Sequence, residues 1–402
     1  MKKRGKLKIA HVSMFYLPTF GGVEQVIYEL AQRQINEGHE VHVFCCDSDK
    51  NKRIKPLDET LEGVKVHRVP YLLRLSLNTH IWPGLFSKFK EINQDIGGFD
   101  IIHSHVSGHA YVLQAGIIAK TKNIKHIHTT HCPWTGAEFR PPVLRPFIFL
   151  NDLFFNKLSY TFIDKIIAIT PWELDKLKSY VSPEKQEKIK VIPNGVDKIF
   201  FSKVKNNRFK EKNKISEKNL VLFFGRLNPT KGPEKLAEAA VNLTKSGKAK
   251  EKDIAFVFVG PDEGKAEQVR SIIKGYKNIY YIGALKGRDK VAEMYQASNI
   301  YVLPSYREGL PLTLFEAMAS GLPIIASPVN GVPYEMKKDE NGLFCNYGDV
   351  KCLEESILKL IGNKKFVNSM SQKNKKKAKD YDWDLIYKKY MGEYFKLLKG
   401  RE

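Results

Sequence analysis

One pattern constrains this chain more than any other, and it occurs twice. Residues 6–13, KLKIAHVS, read as a buried strand, and a loop leads from them to Gly21-Gly22. Apolar residues then recur at Val23, Val26, Ile27, Leu30, Ala31 and Ile35, the spacing of one helical face. Gly38 closes that helix and EVHVFCC begins a second strand. Strand, glycine turn, helix, strand is one unit of a parallel, doubly wound sheet. The order returns further along: a strand LVLFFG at 220–225, a turn at Lys231-Gly232-Pro233, a helix over Lys235–Leu243, and a strand DIAFVFVG at 253–260. The halves are too dissimilar to count as a sequence repeat. A chain of 402 residues that opens this unit twice reads most economically as two Rossmann-like α/β domains in tandem.

Other apolar runs fit the scheme. Strand signals stand at 64–69, 100–105, 124–131, 165–170 and 189–194 in the first half, and at 279–283, 299–305 and 322–327 in the second. Lysine-rich residues 198–219 read as a connection or a charged helix beside one. From Asp380 to Leu398, Trp383, Ile386, Tyr390, Tyr394 and Leu397 share one helical face that must dock on something. The expected division is 1–197, 198–380 and a terminal helix over 381–402. Tandem domains of this kind place their ligand where the carboxyl ends of both sheets face a shared cleft, so loops that follow strands are where chemistry is expected.

Composition narrows the function classes. Hydrophobic residues at 43% and aromatics at 11% exclude a mainly disordered chain. Lys plus Arg exceed Asp plus Glu by 66 to 44, a net charge of +22 that suits phosphates: nucleic acid, anionic lipid headgroups or nucleotide substrates. Runs such as Lys373, Lys375, Lys376 and Lys377 read as solvated faces. Five cysteines with no C-x-x-C suggest neither a disulfide framework nor a thiolate zinc site, and fit a reducing compartment. The basic N-terminus makes a poor signal peptide because His11, Ser13, Pro18 and two glycines interrupt the apolar stretch behind it. No uncharged apolar run is long enough to span a bilayer.

Three strand-end loops carry candidate chemistry. Arg307 to Gly321 hold Glu308 in a loop and Glu316 about one turn into the next helix. A helix N-terminus flanked by carboxylates can hold a phosphate and accept from vicinal hydroxyls, as sugars and riboses present. In Gly225-Arg226-Leu227-Asn228-Pro229-Thr230-Lys231-Gly232, two cations five positions apart suit a diphosphate leaving group, Arg226 as a fork and Lys231 as a mobile point charge. Gly21-Gly22-Val23-Glu24 lets the backbone approach a ligand at the positive end of a helix. Each also has a plainer reading: solvated glutamates, an ordinary exposed Arg and Lys, and a tight turn.

Together these residues resemble the family 4 retaining glycosyltransferases of the GT-B fold. The family's glutamate-x7-glutamate signature matches Glu308 to Glu316. The glycine-glycine-x-glutamate loop, Val191-Ile192-Pro193-Asn194-Gly195-Val196-Asp197, the Gly225-Arg226 loop with Lys231, Val259-Gly260 and Gly321-Leu322-Pro323 follow in family order. The resemblance implies two facing domains with the terminal helix returning to the first. It implies that Arg226 and Lys231 hold the donor diphosphate, Glu316 the ribose hydroxyls and Glu308 hydroxyls of the transferred sugar. It further implies that Gly309 and Leu310 offer backbone N–H groups to donor oxygens and that Gly22, beside Gly21, approaches the phosphates. The family's active-site histidine matches His131. Where relatives read glycine-x-glycine, this chain has Gly260-Pro261-Asp262-Glu263-Gly264, which puts that loop's contacts in question.

His103, His105, His109, His126, His128 and His131 crowd the first half. Their alternation on strand segments and the lack of a carboxylate at ligand spacing argue against a metal. His131 and His109 are the better candidates for contacts to sugar hydroxyls or the reacting centre. Asp47-Ser48-Asp49 is too short a pattern to argue for a divalent ion, since Arg226 and Lys231 already supply positive charge. No metal and no cofactor are expected.

Residues 71–92 and 146–162 are amphipathic, aromatic and basic, and could lie on a membrane or pack as helices against the first sheet. The expected function is retaining transfer of a hexose from a nucleotide diphosphate sugar to a hydroxyl of a lipid or growing glycan. The expected location is cytoplasmic or peripheral at the inner membrane face, with an anionic membrane surface as a candidate partner. A non-catalytic sugar-nucleotide-binding subunit and a basic nucleic-acid-binding protein are the rival readings. Nothing in the sequence resembles a basic-aromatic nucleic-acid module.

Overall fold

The computed structural model describes residues 5–19, 21–49, 52–76, 79–132, 146, 155–202 and 208–399. The chain forms two units, Met1–Pro193 with Asp384–Glu402, and Asn194–Trp383.

The first unit carries β1 (Lys8–Val12), β2 (Glu40–Cys46), β3 (Asp58–Leu61), β4 (Val64–Val69), β5 (Leu73–Ser76), β6 (Thr79–Ile81), β7 (Ile101–His105), β8 (Lys125–Thr129), β9 (Lys165–Ala168) and β10 (Ile189–Val191). Eight of them make one sheet in the order β10-β9-β8-β7-β1-β2-β4-β3. All neighbours are parallel except β3 against β4. Apolar residues on both faces, as in Val41, Val43 and Phe44, explain why these strands read as continuous hydrophobic runs. Helices α1 (Gly22–Asn36), α2 (Leu85–Asp95) and α3 (Ala110–Lys122) cover the sheet, with Trp82, Leu85, Phe89 and Tyr111 in one buried cluster and Ile27, Ala31 and Val43 in another.

The second unit carries β11 (Asn219–Phe224), β12 (Ile254–Val259), β13 (Ile279–Gly283), β14 (Ile300–Leu303), β15 (Ile324–Ala326) and β16 (Gly342–Phe344), all parallel in the order β13-β12-β11-β14-β15-β16. Here α4 (Pro233–Lys245) follows β11, α5 (Ala266–Ile273) follows β12 and α6 (Leu312–Ala319) follows β14. The chain reverses its direction of travel across each sheet beside its first strand. The loops after β11 and β14 are therefore neighbours, the usual place for a ligand in an open α/β sheet.

Helix α7 (Trp383–Lys399) begins in the second unit with Trp383 and continues as part of the first. In the first unit Ile386, Tyr390 and Tyr394 are buried, Arg33 Nε meets Asp384 at 2.9 Å, and the Tyr387 hydroxyl donates to Glu37 at 2.9 Å. In the second unit Gly195 accommodates the Trp383 indole. A Cβ there would stand 2.3 Å from the ring.

Three features depart from the sequence reading. Residues 73–76 and 79–81 pair as two antiparallel strands ahead of α2 rather than lying in one helical segment, because Leu73, Leu75 and their polar neighbours alternate with period two. The polar edge strand β3 carries no apolar run to announce it. Cys345 and Cys352, seven positions apart, are joined in a disulfide, whereas Cys45, Cys46 and Cys132 are free. Pairing across a helix start leaves no C-x-x-C trace in the sequence.

Candidate active site

The loops after β11 and β14 are stitched together in the second unit. The Tyr306 N–H donates to Thr230 O at 2.9 Å, and Gly232 lies so close to Pro304 that a Cβ would stand 2.3 Å from its carbonyl oxygen. Gly232 also has φ +61°, so a side chain is excluded twice over.

This junction brings Lys231 to Glu308. Lys231 Nζ donates to both carboxylate oxygens, at 2.7 and 2.6 Å, and Ser305 Oγ donates to Oε1 at 2.6 Å. The carboxylate is 3% exposed and the ammonium 17%, so both charges are largely withdrawn from water and depend on each other. Arg226 is 45% exposed and pairs at 3.1 Å with Glu263, which also accepts from Asn228 Nδ2 at 3.1 Å. Glu263 belongs to the loop whose glycine pattern departs from the family. There Gly260 approaches Gly225 so closely that a Cβ would stand 1.8 Å from its carbonyl oxygen, and Asp262 Oδ1 accepts the N–H groups of Gly264, Lys265 and Ala266 at the start of α5.

Glu316, in the second turn of α6, is buried. Burial lifts its carboxyl to about 7, against the Tyr295 hydroxyl that donates to Oε2 at 3.0 Å and the positive charge of Arg288. The Tyr301 hydroxyl donates to Thr313 Oγ1 at 2.8 Å beside it. Leu310 is buried, and its carbonyl accepts from Asn194 Nδ2 at 2.9 Å, while Gly309 is partly exposed at the approach to α6. Of the residues singled out from sequence in this half, the structure brings Lys231 and Glu308 into contact and places Arg226 and Glu316 on loops or helices that follow the same edge of the sheet.

In the first unit, Gly21 precedes α1 with no side-chain cap, and a Cβ at Gly21 would stand 2.6 Å from Glu24 Oε2. His109 precedes α3 and stacks on Tyr111 with ring centroids 5.4 Å apart. His131 follows β8. It and Cys132 both have left-handed backbones, φ +56° and +51°, a conformation that needs outside support. Glu173 supplies it: its carboxylate accepts from Cys132 N at 2.8 Å, Ile169 N at 2.6 Å and the Thr130 hydroxyl. Burial pushes the His131 imidazole down to about 3, so the ring is neutral.

His126 and His128 are buried and bonded to Ser104 Oγ, each at 2.8 Å. Asp47 is buried and holds Arg53 at 2.6 Å and Tyr71 N at 3.0 Å, a loop-building role. Residues 133–145, which follow the His131–Cys132 turn, lie outside the described residues, as do 77–78 and 147–154 of the two amphipathic segments.

Sequence reasoning missed Glu263, Tyr295 and Glu173. Glu173 had a signal, since Thr170-Pro171-Trp172-Glu173 is a capping box, and the structure contains one there. Glu263 had only its place after the strand neighbouring β11.

Comparison with known proteins shows the class to which these domains belong. Residues 20–198 match the family described as Glycosyltransferase Family 4, and residues 204–377 match Glycosyl transferases group 1. The chain belongs to the family 4 glycosyltransferases and has their GT-B type of fold, using a nucleotide-sugar donor. It is 28% identical over 380 residues to the Escherichia coli UDP-Gal:alpha-D-GlcNAc-diphosphoundecaprenol alpha-1,3-galactosyltransferase, covering 91% of each chain. It is 26% identical to the phosphatidylinositol N-acetylglucosaminyltransferase GPI3 subunit of Saccharomyces cerevisiae, covering 96% of this chain and 82% of that one. Anabaena HepE in complex with UDP shares the fold, with a TM-score of 0.75 at 16% identity over 96% of this chain and 99% of that one.

Proposed function

We propose that the protein transfers a hexose, with retention of configuration, from a nucleoside diphosphate sugar to a hydroxyl of a lipid-linked or glycan acceptor, without a metal ion. The observation that carries this reading is the withdrawn Lys231–Glu308 pair beside buried Glu316. Lys231 brings a positive charge to a strand-end loop for the diphosphate, Glu308 offers oxygens to the transferred sugar, and Glu316 offers them to the ribose. Arg226, more exposed, is free to swing from Glu263 to a phosphate.

In the proposed step the acceptor oxygen attacks the anomeric carbon on the face from which the diphosphate departs. One carbon–oxygen bond forms and one breaks, and the departing phosphate oxygen takes the acceptor proton. Arg226 and Lys231 stabilise the negative charge that develops there, so no divalent ion is needed. A thermal-shift screen against UDP, GDP, ADP and their sugars, followed by NMR of the product anomer with and without chelator, tests this. Inversion at the anomeric carbon, or activity abolished by chelation and restored by a divalent ion, refutes it.

Acceptor and location belong to the same proposal. No helix among the described residues is long and apolar enough to cross a membrane. Leu72, Leu73 and Leu75 at the β5–β6 hairpin and Phe86 on α2 are exposed, Leu72 at 77%, with Arg74 and Lys90 exposed beside them. We place this patch against an anionic membrane face, which suits the lipid-linked acceptor in the name of the E. coli relative. Cosedimentation with anionic but not zwitterionic vesicles, weakened by Leu72→Glu with Leu75→Glu, is the expected result. A second reading, that the chain works as one subunit of an assembly, is favoured by the name of the yeast relative alone.

A further inference from the structure

A line of polar side chains runs through the first unit from α1 to His131. Gln34 Oε1 meets His11 Nε2 at 2.9 Å, His11 Nδ1 meets His105 Nε2 at 3.0 Å, and His105 Nδ1 meets His131 Nε2 at 3.2 Å. Gln34, His11 and His105 are each 0% exposed. Between two neutral imidazoles a hydrogen bond needs one ring nitrogen with a proton and one without. The tautomers of the three rings are therefore linked, and fixing the first fixes the last.

Gln34 fixes the first. An amide oxygen has no proton to give, so His11 Nε2 carries one and His11 Nδ1 is bare. His105 Nε2 must then donate to it, His105 Nδ1 is bare, and His131 Nε2 donates in turn. In the structure the amide presents Oε1 to His11; the reverse orientation would run every bond the other way and leave His131 protonated at Nδ1. Burial lowers His11 to about 4, holds His105 well below its usual range and lowers His131 to about 3, so each ring carries a single proton.

His11, His103 and His105 also each bring a ring nitrogen within 4.8 Å of the others, close enough to invite a metal ion. Their hydrogen bonds argue otherwise. Both nitrogens of His11 and of His105 are used in the chain, and those of His103 face the Tyr394 hydroxyl at 2.6 Å and Thr129 Oγ1 at 2.8 Å. A metal would have to break these bonds in a site with no carboxylate.

We propose that Gln34, His11 and His105 are positioning residues that hold His131 as the Nε2–H tautomer, leaving its Nδ1 to accept a hydrogen bond from a hydroxyl of the substrate. The role of that hydroxyl rests on the transferase reading above. The tautomer does not. Among the described residues none donates to Nδ1 of His131, and the Glu173-pinned backbone keeps the ring at the end of the chain.

The test is a long-range 1H–15N spectrum of histidine-labelled protein without substrate, with the His131 signals assigned by their loss in His131→Gln. The expected result is a protonated Nε2 and a bare, pyridine-type Nδ1 on His131. In Gln34→Met, which removes the accepting oxygen, a population protonated at Nδ1 is expected to appear. There kcat is expected to fall about five- to tenfold, with KM for the donor little changed. A wild-type His131 protonated at Nδ1, or a tautomer that Gln34→Met leaves unaltered, overturns the proposal. Should Gln34→Met not fold, the wild-type spectrum still decides between the two directions of the chain. Because the spectrum needs no turnover, failure to detect sugar transfer tells against the function and leaves the tautomer result standing.

Discussion

Glu316 offers a pH-dependent signature that the Glu316→Gln variant isolates. The amide keeps an oxygen for the Tyr295 hydroxyl and removes only the titration. In the unfolded chain this carboxyl loses its proton near 4.5, while in the fold burial holds the proton to about 7. Below pH 4.5 both states are protonated and the site adds no pH dependence. Between 4.5 and 7 the unfolded chain releases a proton that the folded chain keeps, so stability falls as pH rises. Above 7 both are ionised and the full cost remains. The interval, at 1.36 kcal/mol per pH unit, corresponds to about 3 kcal/mol. For a unit of this size that is roughly 6–12 °C in Tm. Thermal unfolding of wild type and Glu316→Gln from pH 4 to pH 8 at constant ionic strength should show the wild type losing that much relative to the variant. Parallel curves would mean that Glu316 titrates normally and is not desolvated as the structure shows it. Donor binding extends the test. Hydroxyls that donate to the carboxylate favour its ionised form, so affinity for a nucleoside diphosphate sugar should rise about tenfold from pH 6 to pH 8 in the wild type. The variant should show no such rise.

Other substitutions probe the remaining parts. Arg226→Ala and Lys231→Ala are each expected to lower kcat by about 10²- to 10³-fold at saturating donor, measured by product release, and full turnover in either would remove that residue from the leaving-group role. Glu173→Ala strips three donors of their acceptor around the left-handed His131–Cys132 turn, and should destabilise the first unit by about 3 kcal/mol in denaturant titrations. Gly232→Ala meets both a positive φ and the Pro304 carbonyl, and should cost about 2 kcal/mol or more and separate the two donor loops. A neutral Gly232→Ala would show that the β11 and β14 loops do not depend on that contact.

How much of this could be read from the chain depends on the range of each interaction. The parallel strands were legible because burial on both faces leaves unbroken apolar runs such as IAFVFV. The β5–β6 hairpin was legible in principle, since Leu73 and Leu75 alternate, but leucines among arginine and lysine also satisfy a helical pattern. Lys231, Glu308 and Glu316 could be picked out by motif and by their positions after strands. Their pairing could not. Lys231 meets Glu308 across 77 positions because β11 and β14 lie side by side, a consequence of strand order that no local pattern carries. For the same reason Glu263 stayed hidden: it reaches Arg226 only because β12 neighbours β11. His11 is one polar residue in an apolar strand, and its meaning emerges only when β1 and β7 set it beside His105.

Helix α7 ties the chain beyond Trp383 back to the first sheet. Its Tyr394 hydroxyl lies 2.6 Å from His103, and its Glu393 reaches Lys165 at 3.2 Å. During synthesis the amino-terminal unit must therefore wait, one surface uncovered, while the whole intervening unit, Asn194–Trp383, leaves the ribosome. At ordinary elongation rates that delay is about 10–40 s. A nonsense mutation just ahead of α7 would injure the half of the protein that was made earliest.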